Sequence, residues 1–173
     1  MVFPQLVRTE RLVLRRWDAA LHTESLAGVN ADPEAMRYLN GGVPFSREES
    51  SAQSLRFAAH WDRYGFGLWA VEATDAVVGF TGACHPLWFP AYADEVEVGW
   101  RLHPSAWGKG YATEAGRAAV GAALDHLDLA RVIACIDPGN HASIAVADRL
   151  GMQPAETVAG PDGRGDITLY ELR

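Results

Sequence analysis

The chain has 173 residues, which at about 150 residues per domain predicts a single domain over residues 1–173. Hydrophobic residues make up 49% of it and charged residues 21%, a balance that excludes a disordered tail or a fibre. The formal net charge is -7, from 15 basic and 22 acidic residues, so we expect no nucleic-acid partner.

The apolar runs of the sequence bear on localisation, and the spacing of the cysteines bears on metal binding. The longest uncharged apolar run in a predicted helix covers only residues 118–124, whereas a membrane span needs about 18 residues. Pro4 and Arg8 interrupt the N-terminal segment before the apolar core of a signal peptide can build. We therefore expect a cytoplasmic protein with no membrane partner. Cys84 and Cys135 lack the spacing of metal ligands, so no metal is expected.

The periodicity of apolar residues and the turn residues between them predict an ordered series of strands and helices. In chain order these are a strand at Arg11–Trp17, a helix from Asp18 to about Val29, a helix at Arg47–Arg63, strands at Leu68–Ala73, Ala76–Cys84 and Glu95–Leu102, a helix at Gly110–His126, a strand at Arg131–Ile136, a helix at His141–Leu150, and strands at Gln153–Val158 and Asp166–Leu172. An antiparallel meander followed by alternating strands and helices indicates a mixed α/β (α+β) fold.

The most informative motif is Trp107-Gly108-Lys109-Gly110-Tyr111-Ala112, which lies between a predicted strand and an alanine-rich helix. Glycines there allow successive backbone N–H groups to turn toward one point, and the helix N-terminus adds partial positive charge. This combination binds phosphate groups. A tight turn that needs glycine only for its backbone conformation is the alternative. The motif matches neither the Walker A pattern nor GxGxxG.

Three motifs in order resemble the GNAT superfamily of N-acetyltransferases. The central one combines Glu97-Val98-Gly99-Trp100 with WGKGYATEA, the N-terminal one is the run TERLVLR beginning at Thr9, and the last is Asn140-His141-Ala142-Ser143 continuing to Arg149-Leu150-Gly151-Met152. Trp107 departs from the superfamily loop consensus [RQ]xxGx[GA]. That departure is typical of the branch that contains the ribosomal-protein N-terminal alanine acetyltransferases.

The resemblance implies a GNAT-like fold, in which a mixed, mostly antiparallel sheet is splayed at a coenzyme cleft and carries helices on both faces. It also implies acetyl-CoA as co-substrate. The coenzyme-binding residues implied are Trp100, Leu102, Trp107, Gly108, Lys109, Gly110, Tyr111, Ala112 and Asn140. Backbone groups make most of these contacts, so the change at Trp107 should remove nothing essential. Lys109 supplies charge to a phosphate or is simply a solvated side chain.

Acetyl transfer requires an unprotonated amine, although an α-amino group has a pKa of about 7.7–8.0. A general base therefore helps the reaction. Glu95 and Glu97 share one strand face, and carboxylates there either pair with an arginine or line a wet cavity. Glu97 matches the glutamate of the family motif and is the preferred base.

The departing thiolate needs a proton or a hydrogen bond. Ser143 matches the serine that stands in the resembled branch at the place of the tyrosine proton donor of many GNAT enzymes. Purely local roles at a helix start are the alternative for Asn140 and Ser143, and both readings can hold together.

The acceptor is the least defined part of the site. The apolar loop from His85 to Tyr92 either caps the core or walls the acceptor site, with Tyr38, His85 and Trp88 as candidate substrate-binding residues. The sequence therefore predicts an N-acetyltransferase that passes the acetyl group directly to a primary amine, either a protein N-terminal α-amine or a small molecule. A non-catalytic acyl-CoA-binding module is the alternative. A homodimer is an expectation from the resemblance alone.

Overall fold

A computed structural model describes residues 2–173 of the chain. The strands are β1 (Leu6–Arg8), β2 (Val13–Arg16), β3 (Leu68–Ala73), β4 (Ala76–Cys84), β5 (Glu97–Leu102), β6 (Val132–Ile136), β7 (Gln153–Ala159) and β8 (Asp166–Leu172). The α-helices are α1 (Ala19–Asn30), α2 (Pro33–Met36), α3 (Arg47–Tyr64), α4 (Tyr111–His126) and α5 (His141–Arg149).

All eight strands join one sheet in the order β1-β2-β3-β4-β5-β6-β8-β7. Neighbouring strands are antiparallel except β5 and β6, which run parallel. This confirms the predicted mixed, mostly antiparallel sheet. The connection from β5 to β6 passes through α4, as a parallel pair requires.

Helices cover both faces of the sheet, as the two sides of β5 show. Trp100 points to the face covered by α4, where its ring lies 3.6 Å from the position that a Cβ on Gly116 would take. Arg101 points to the opposite face, where its guanidinium lies 5.1 Å from the ring of Phe80. The Phe80 ring in turn contacts Phe57 of α3, at 5.0 Å between centroids.

Two helices illustrate why the sequence folds as it does. The N-terminus of α3 carries the predicted capping box, in which Ser46 accepts from the Glu49 N–H and the Glu49 carboxylate accepts from the Ser46 N–H. Gly65, in the left-handed conformation, ends the same helix. Helix α4 buries a face of small residues, which lets it lie close to the sheet: Ala115, Gly116, Ala119, Ala122 and Ala123.

Several predicted boundaries are corrected. The predicted strand at 11–17 shortens to β2, and an unpredicted strand, β1, pairs with it. The short helix α2 was also missed, although Asp32 caps it through the N–H groups of Glu34 and Ala35. Strand β5 begins at Glu97 instead of Glu95. Within residues 2–173, no helix is both long enough and apolar enough to span a membrane.

Candidate active site

The sheet opens between β5 and β6. Only one residue pair, Glu97 with Ile133, joins these parallel strands, supported by a hydrogen bond from the Ile133 N–H to the Val96 carbonyl. Beyond Glu97 the backbone edge of β5 has no ladder partner on β6. A cleft therefore widens toward the carboxyl ends of both strands, where the N-termini of α4 and α5 also lie.

An ion-pair network holds the closed end of this cleft. Arg131, just before β6, donates to Glu95 at 2.6 Å and to Glu171 of β8 at 2.7 Å. These two carboxylates raise the pKa of the Arg131 guanidinium above its ordinary value through hydrogen bonds and charge. The network joins three chain segments at the point from which the strands diverge.

The loop from Trp107 to Ala112 forms one wall of the open end. Gly108 and Gly110 adopt φ angles of 72° and 79°, a left-handed conformation that glycine accepts without strain. Among residues 2–173, the N–H groups of Gly108, Lys109 and Gly110 have no backbone or side-chain acceptor. The first-turn N–H groups of α4 are also free of intrahelical partners. This concentration of unpaired donors at a helix N-terminus fits a phosphate-bearing ligand.

The N-terminal segment supports this loop through hydrogen bonds from Thr9 and Arg11. Arg11 donates to the Lys109 carbonyl at 2.7 Å, and its Nε donates to the Glu114 carboxylate at 2.7 Å. Glu114 also accepts from the Thr9 hydroxyl at 2.6 Å and from the Arg11 backbone N–H at 2.8 Å. Arg11 thus fixes the position of the Lys109 carbonyl in the loop. The sequence identified this N-terminal segment only through its family resemblance, and its contact with Glu114 was not predicted.

The remaining residues predicted for coenzyme binding line the same region. Trp100 packs beneath α4, and the indole N–H of Trp107 donates to the carbonyl of Leu102 at 2.8 Å. Lys109 is exposed, with its ammonium 6.0 Å from the centre of the Tyr111 ring. Ala112 lies in the first turn of α4. Except for Asn140, the predicted set therefore lies in one wall of the cleft.

The start of α5 forms the facing wall. Asn140 is the N-cap, and its side-chain oxygen accepts from the Ser143 backbone N–H at 3.1 Å. The predicted local role of this pair is therefore confirmed. The Ser143 hydroxyl is half-buried and makes no hydrogen bond among the described residues. It remains free to act on a ligand in the cleft.

Glu97 lies where β5 and β6 part. Its side chain is half-buried, and one carboxylate oxygen accepts from the Trp88 indole N–H at 3.1 Å. Burial raises the pKa of Glu97 above its ordinary value, and interactions with Trp88 and Cys135 offset this only in part. No cation pairs with this carboxylate among residues 2–173. A carboxylate in this setting is suited to accept a proton.

Glu95 and Glu97 have different partners, although they are two residues apart. Glu95 has the arginine pairing that the sequence left open as an alternative, through Arg131. Glu97 instead contacts Trp88 and Cys135 and has no arginine partner among the described residues. The structure thereby separates two carboxylates that sequence reasoning could rank only by motif.

Three side chains were predicted to wall the acceptor site. Trp88 contacts Glu97 directly, and its role in binding the acceptor stays a prediction. Tyr38 lies at the other end of the cleft, against Gly139 in the turn before α5. The ring of His85 donates to the Glu95 carbonyl at 2.8 Å and packs against Tyr64, so the structure places it in the support of the loop.

Cys84 and Cys135 flank Glu97 on the neighbouring strands β4 and β6. Cys84 is the cross-strand partner of Glu97, and both thiols are half-buried. Burial raises the pKa of each thiol, and the charge of Glu97 adds to this effect. Both thiols are therefore protonated and poor nucleophiles. The described residues contain no group of three or more His, Cys, Asp or Glu side chains arranged to hold a metal ion.

A family model described as an acetyltransferase (GNAT) domain matches residues 11–153. The chain belongs to this family. As a GNAT member it is an acetyl-CoA-dependent N-acyltransferase with acetyl-CoA as its co-substrate, which confirms the predicted enzyme class and coenzyme. The unpaired loop donors and the free edge of β5 are consistent with that assignment.

This GNAT protein is similar to three known acetyltransferases over most of its length. It is 32% identical to an FsC-acetyl coenzyme A-N(2)-transacetylase from Aspergillus fumigatus over 79% of this chain and 60% of that protein. The crystal structure of an acetyltransferase from Agrobacterium tumefaciens superposes with a TM-score of 0.81 at 28% identity, covering 97% of this chain and 94% of the other.

A ribosomal L7/L12 α-N-protein acetyltransferase, RimL, in complex with coenzyme A superposes with a TM-score of 0.76 at 19% identity, over 99% of this chain and 97% of the other. At that identity the similarity shows a shared fold.

Proposed function

We propose that this protein transfers the acetyl group of acetyl-CoA directly to a primary amine, with Glu97 as general base. In the overall reaction the amine nitrogen gains the acetyl group, the thioester C–S bond breaks, and the proton lost by the amine ends on the thiol. The observation that carries the proposal is the position of Glu97, an uncompensated carboxylate where the coenzyme cleft begins.

The base role follows from the proton balance of the reaction. An α-amine with a pKa of about 7.7–8.0 is mostly protonated at neutral pH, so one proton must leave before the nitrogen can react. Burial brings the pKa of Glu97 closer to that of the amine, which makes it a stronger base than an exposed carboxylate. The Trp88 N–H holds one carboxylate oxygen and leaves the other able to accept the proton.

The other residues of the cleft have supporting roles. The N–H groups of the loop at residues 108–113 would bind the phosphates of the coenzyme, while Asn140 and the free edge of β5 would hold its arm. The free hydroxyl of Ser143 would donate a hydrogen bond to the departing sulfur. Since both cysteines are protonated, transfer without a covalent enzyme intermediate is the consistent route.

The activities named for two similar proteins bear on the acceptor class. One is an N(2)-transacetylase and the other an α-N-protein acetyltransferase, so both names specify transfer to nitrogen and the second specifies an α-amine. An α-amine is also chemically easier to deprotonate than a lysine side chain, with its pKa of about 10.4. We therefore propose an α-amine as the acceptor.

The pH dependence of kcat/KM in Glu97→Gln tests the base role. The wild type needs ionised Glu97, so its rate falls as the pH drops through the raised pKa of this carboxyl. In the variant only the already deprotonated amine reacts, so we expect a loss of about 10²-fold near pH 6.5 that shrinks as the pH rises above the amine pKa.

Glu95→Gln is the matched control, since it makes the same change at the carboxylate paired with Arg131. Its pH profile should keep the wild-type shape. Equal losses in both variants, or a Glu97→Gln loss that is the same at every pH, would remove Glu97 from the base role. Saturable acetyl-CoA binding without acetylation of any amine would instead contradict the proposed reaction.

A further inference from the structure

One face of β5 carries a trough between two charged side chains. Glu97, Gly99 and Arg101 alternate along this face, which is the side opposite α4. A Cβ built on Gly99 would meet no atom within 4 Å, so the space between the two charges is open. At about 3.3 Å per residue, the Cα atoms of Glu97 and Arg101 are about 13 Å apart.

Arg101 is a desolvated cation with no acidic partner among the described residues. Other arginines near the sheet pair with carboxylates: Arg11 with Glu114, Arg15 with Glu72, Arg16 with Asp62, and Arg131 with Glu95 and Glu171. Arg101 instead lies over the ring of Phe80. Burial lowers the pKa of Arg101 to about 10, so it still carries its charge at neutral pH.

A buried amide positions this guanidinium. Nη1 of Arg101 donates to Oδ1 of Asn30 at 2.6 Å. The Asn30 amide nitrogen donates to Ser50 at 3.1 Å and to Gln53 at 2.9 Å, and the residue is fully buried at the end of α1. Three helical side chains thus orient Arg101 from its Nη1 side.

The opposite edge of the guanidinium has no partner. Nε is buried without a hydrogen-bond acceptor, and Nη2 makes no hydrogen bond within residues 2–173. The N–H groups on Nε and Nη2 point in the same direction, which is the geometry that binds both oxygens of a carboxylate. A buried donor without an acceptor costs about 1–3 kcal/mol, and a bound oxyanion would remove that cost.

We propose that Arg101 binds a carboxylate on the acceptor, so that the substrate is a small amine that also carries a carboxylate, such as an amino acid whose carboxylate lies several bonds from the amine. The amine lies toward Glu97, the substrate crosses the open space over Gly99, and its carboxylate pairs with Arg101. This inference rests on the proposed acetyl transfer and adds the second recognition element of the acceptor.

Matched acceptor pairs test the inference. Each pair is an amino acid and its carboxamide, and a series with increasing separation of amine and carboxylate measures the length of the trough. In the wild type, kcat/KM should favour the acid over the amide by about 30-fold or more at the best separation. In Arg101→Met this preference should fall to about threefold or less, mainly through a rise in the KM of the acids.

Arg56→Met is the control for loss of an arginine, since Arg56 is exposed on α3, and it should keep the acid preference. Arg101→Lys preserves charge without the paired donors and should recover only part of the preference. Calorimetric acetyl-CoA affinity and the thermal midpoint are measured for every variant, so that misfolding or a coenzyme role is recognised.

The outcomes are distinct. If acids and amides are acetylated equally by the wild type, or if Arg101→Met weakens acetyl-CoA binding and slows all acceptors alike, the inference is wrong while the proposed function stands. If no amine of either kind is acetylated, the proposed function itself fails.

Discussion

The two sides of the cleft are built in different ways. The proposed coenzyme side is a contiguous loop at residues 107–112, whose unpaired groups are backbone N–H donors at the start of α4. The proposed acceptor side is assembled from side chains of distant segments, with Asn30 at the end of α1, Trp88 in a loop, and Glu97 and Arg101 on β5.

This difference explains how much each side reveals in a sequence. Every residue type has the same backbone N–H, so a phosphate loop needs only small residues and permissive φ angles, which form a short readable pattern. Recognition by side chains depends on residues that become neighbours only after folding. The coenzyme side is therefore shared within a family, whereas the acceptor side can specify an individual substrate.

The largest expected effect is on the coenzyme side. Gly110→Ala places a side chain at a φ of 79° and brings its Cβ to 3.3 Å from Arg11 Nη2. The left-handed conformation costs a non-glycine residue about 1–2 kcal/mol, so relaxation of the loop should weaken acetyl-CoA binding about tenfold. Isothermal titration calorimetry measures this affinity, and the acceptor KM should change little.

Gly65→Ala is the matched control, since Gly65 has a φ of 74° at the end of α3, far from the loop in sequence. It should lower the thermal midpoint and leave the acetyl-CoA affinity intact. An equal loss of affinity in both variants would mean that the loop geometry has no special role in binding.

An intermediate effect is expected on the acceptor side. The Trp88 hydrogen bond lowers the pKa of Glu97, against the larger effect of burial. Trp88→Phe removes that hydrogen bond, so the pKa of Glu97 should rise further and the acid limb of kcat/KM should move to higher pH. Steady-state rates across the acid range measure the shift.

Trp107→Phe sharpens the comparison, because it also deletes an indole N–H, but one that donates to Leu102 on the coenzyme side. Its acid limb should stay where the wild type has it. If the acid limb of kcat/KM moves in both variants, or in neither, then the Trp88 indole N–H does not set the pKa of Glu97.

The smallest effect is expected at Ser143. Since its backbone N–H makes the bond to Asn140, Ser143→Ala keeps the helix cap and should preserve thermal stability. Loss of the hydroxyl should lower kcat by roughly fivefold with KM unchanged, consistent with one neutral hydrogen bond of about 1 kcal/mol. Asn140→Ala, in contrast, removes the helix cap and should destabilise the protein by about 1 kcal/mol. If kcat is unchanged in Ser143→Ala, the Ser143 hydroxyl has no role in the reaction and the residue acts only at the start of α5.

Elements with strong local signals were predicted well. Helix α3 has its capping box at Ser46 and its terminal Gly65, and α4 begins one residue from the predicted position. The short β1, with three residues and partly exposed positions, has no local pattern. Its pairing with β2 comes from the chain reversal at Thr9, whose backbone N–H donates to the Leu12 carbonyl.

Prediction of the site was limited in the same way, because contacts between distant residues leave no local pattern. The loop at residues 107–112 and Glu97 were singled out from the sequence, because contiguous motifs carry them, and their roles stay predictions. The pairing of Arg11 with Glu114 was missed, since 103 residues separate the partners. The spacing along β5 puts Arg101 on the same face as Glu97, but its lack of an acidic partner could not be inferred before every neighbouring strand and helix was placed.

The sequence by itself determined the local chemistry of this protein: small residues and glycines at a helix start, a carboxylate on an apolar strand, and an N-capped helix beginning at Asn140. Only the tertiary structure decided which charges are neutralised. Glu95 pairs with Arg131, whereas Glu97 has no cationic partner among the described residues. Asn30 orients Arg101 through Nη1, and the Nε and Nη2 edge of the guanidinium has no acceptor there. Burial and long-range pairing set the cost of each charge, and both are properties of the folded chain.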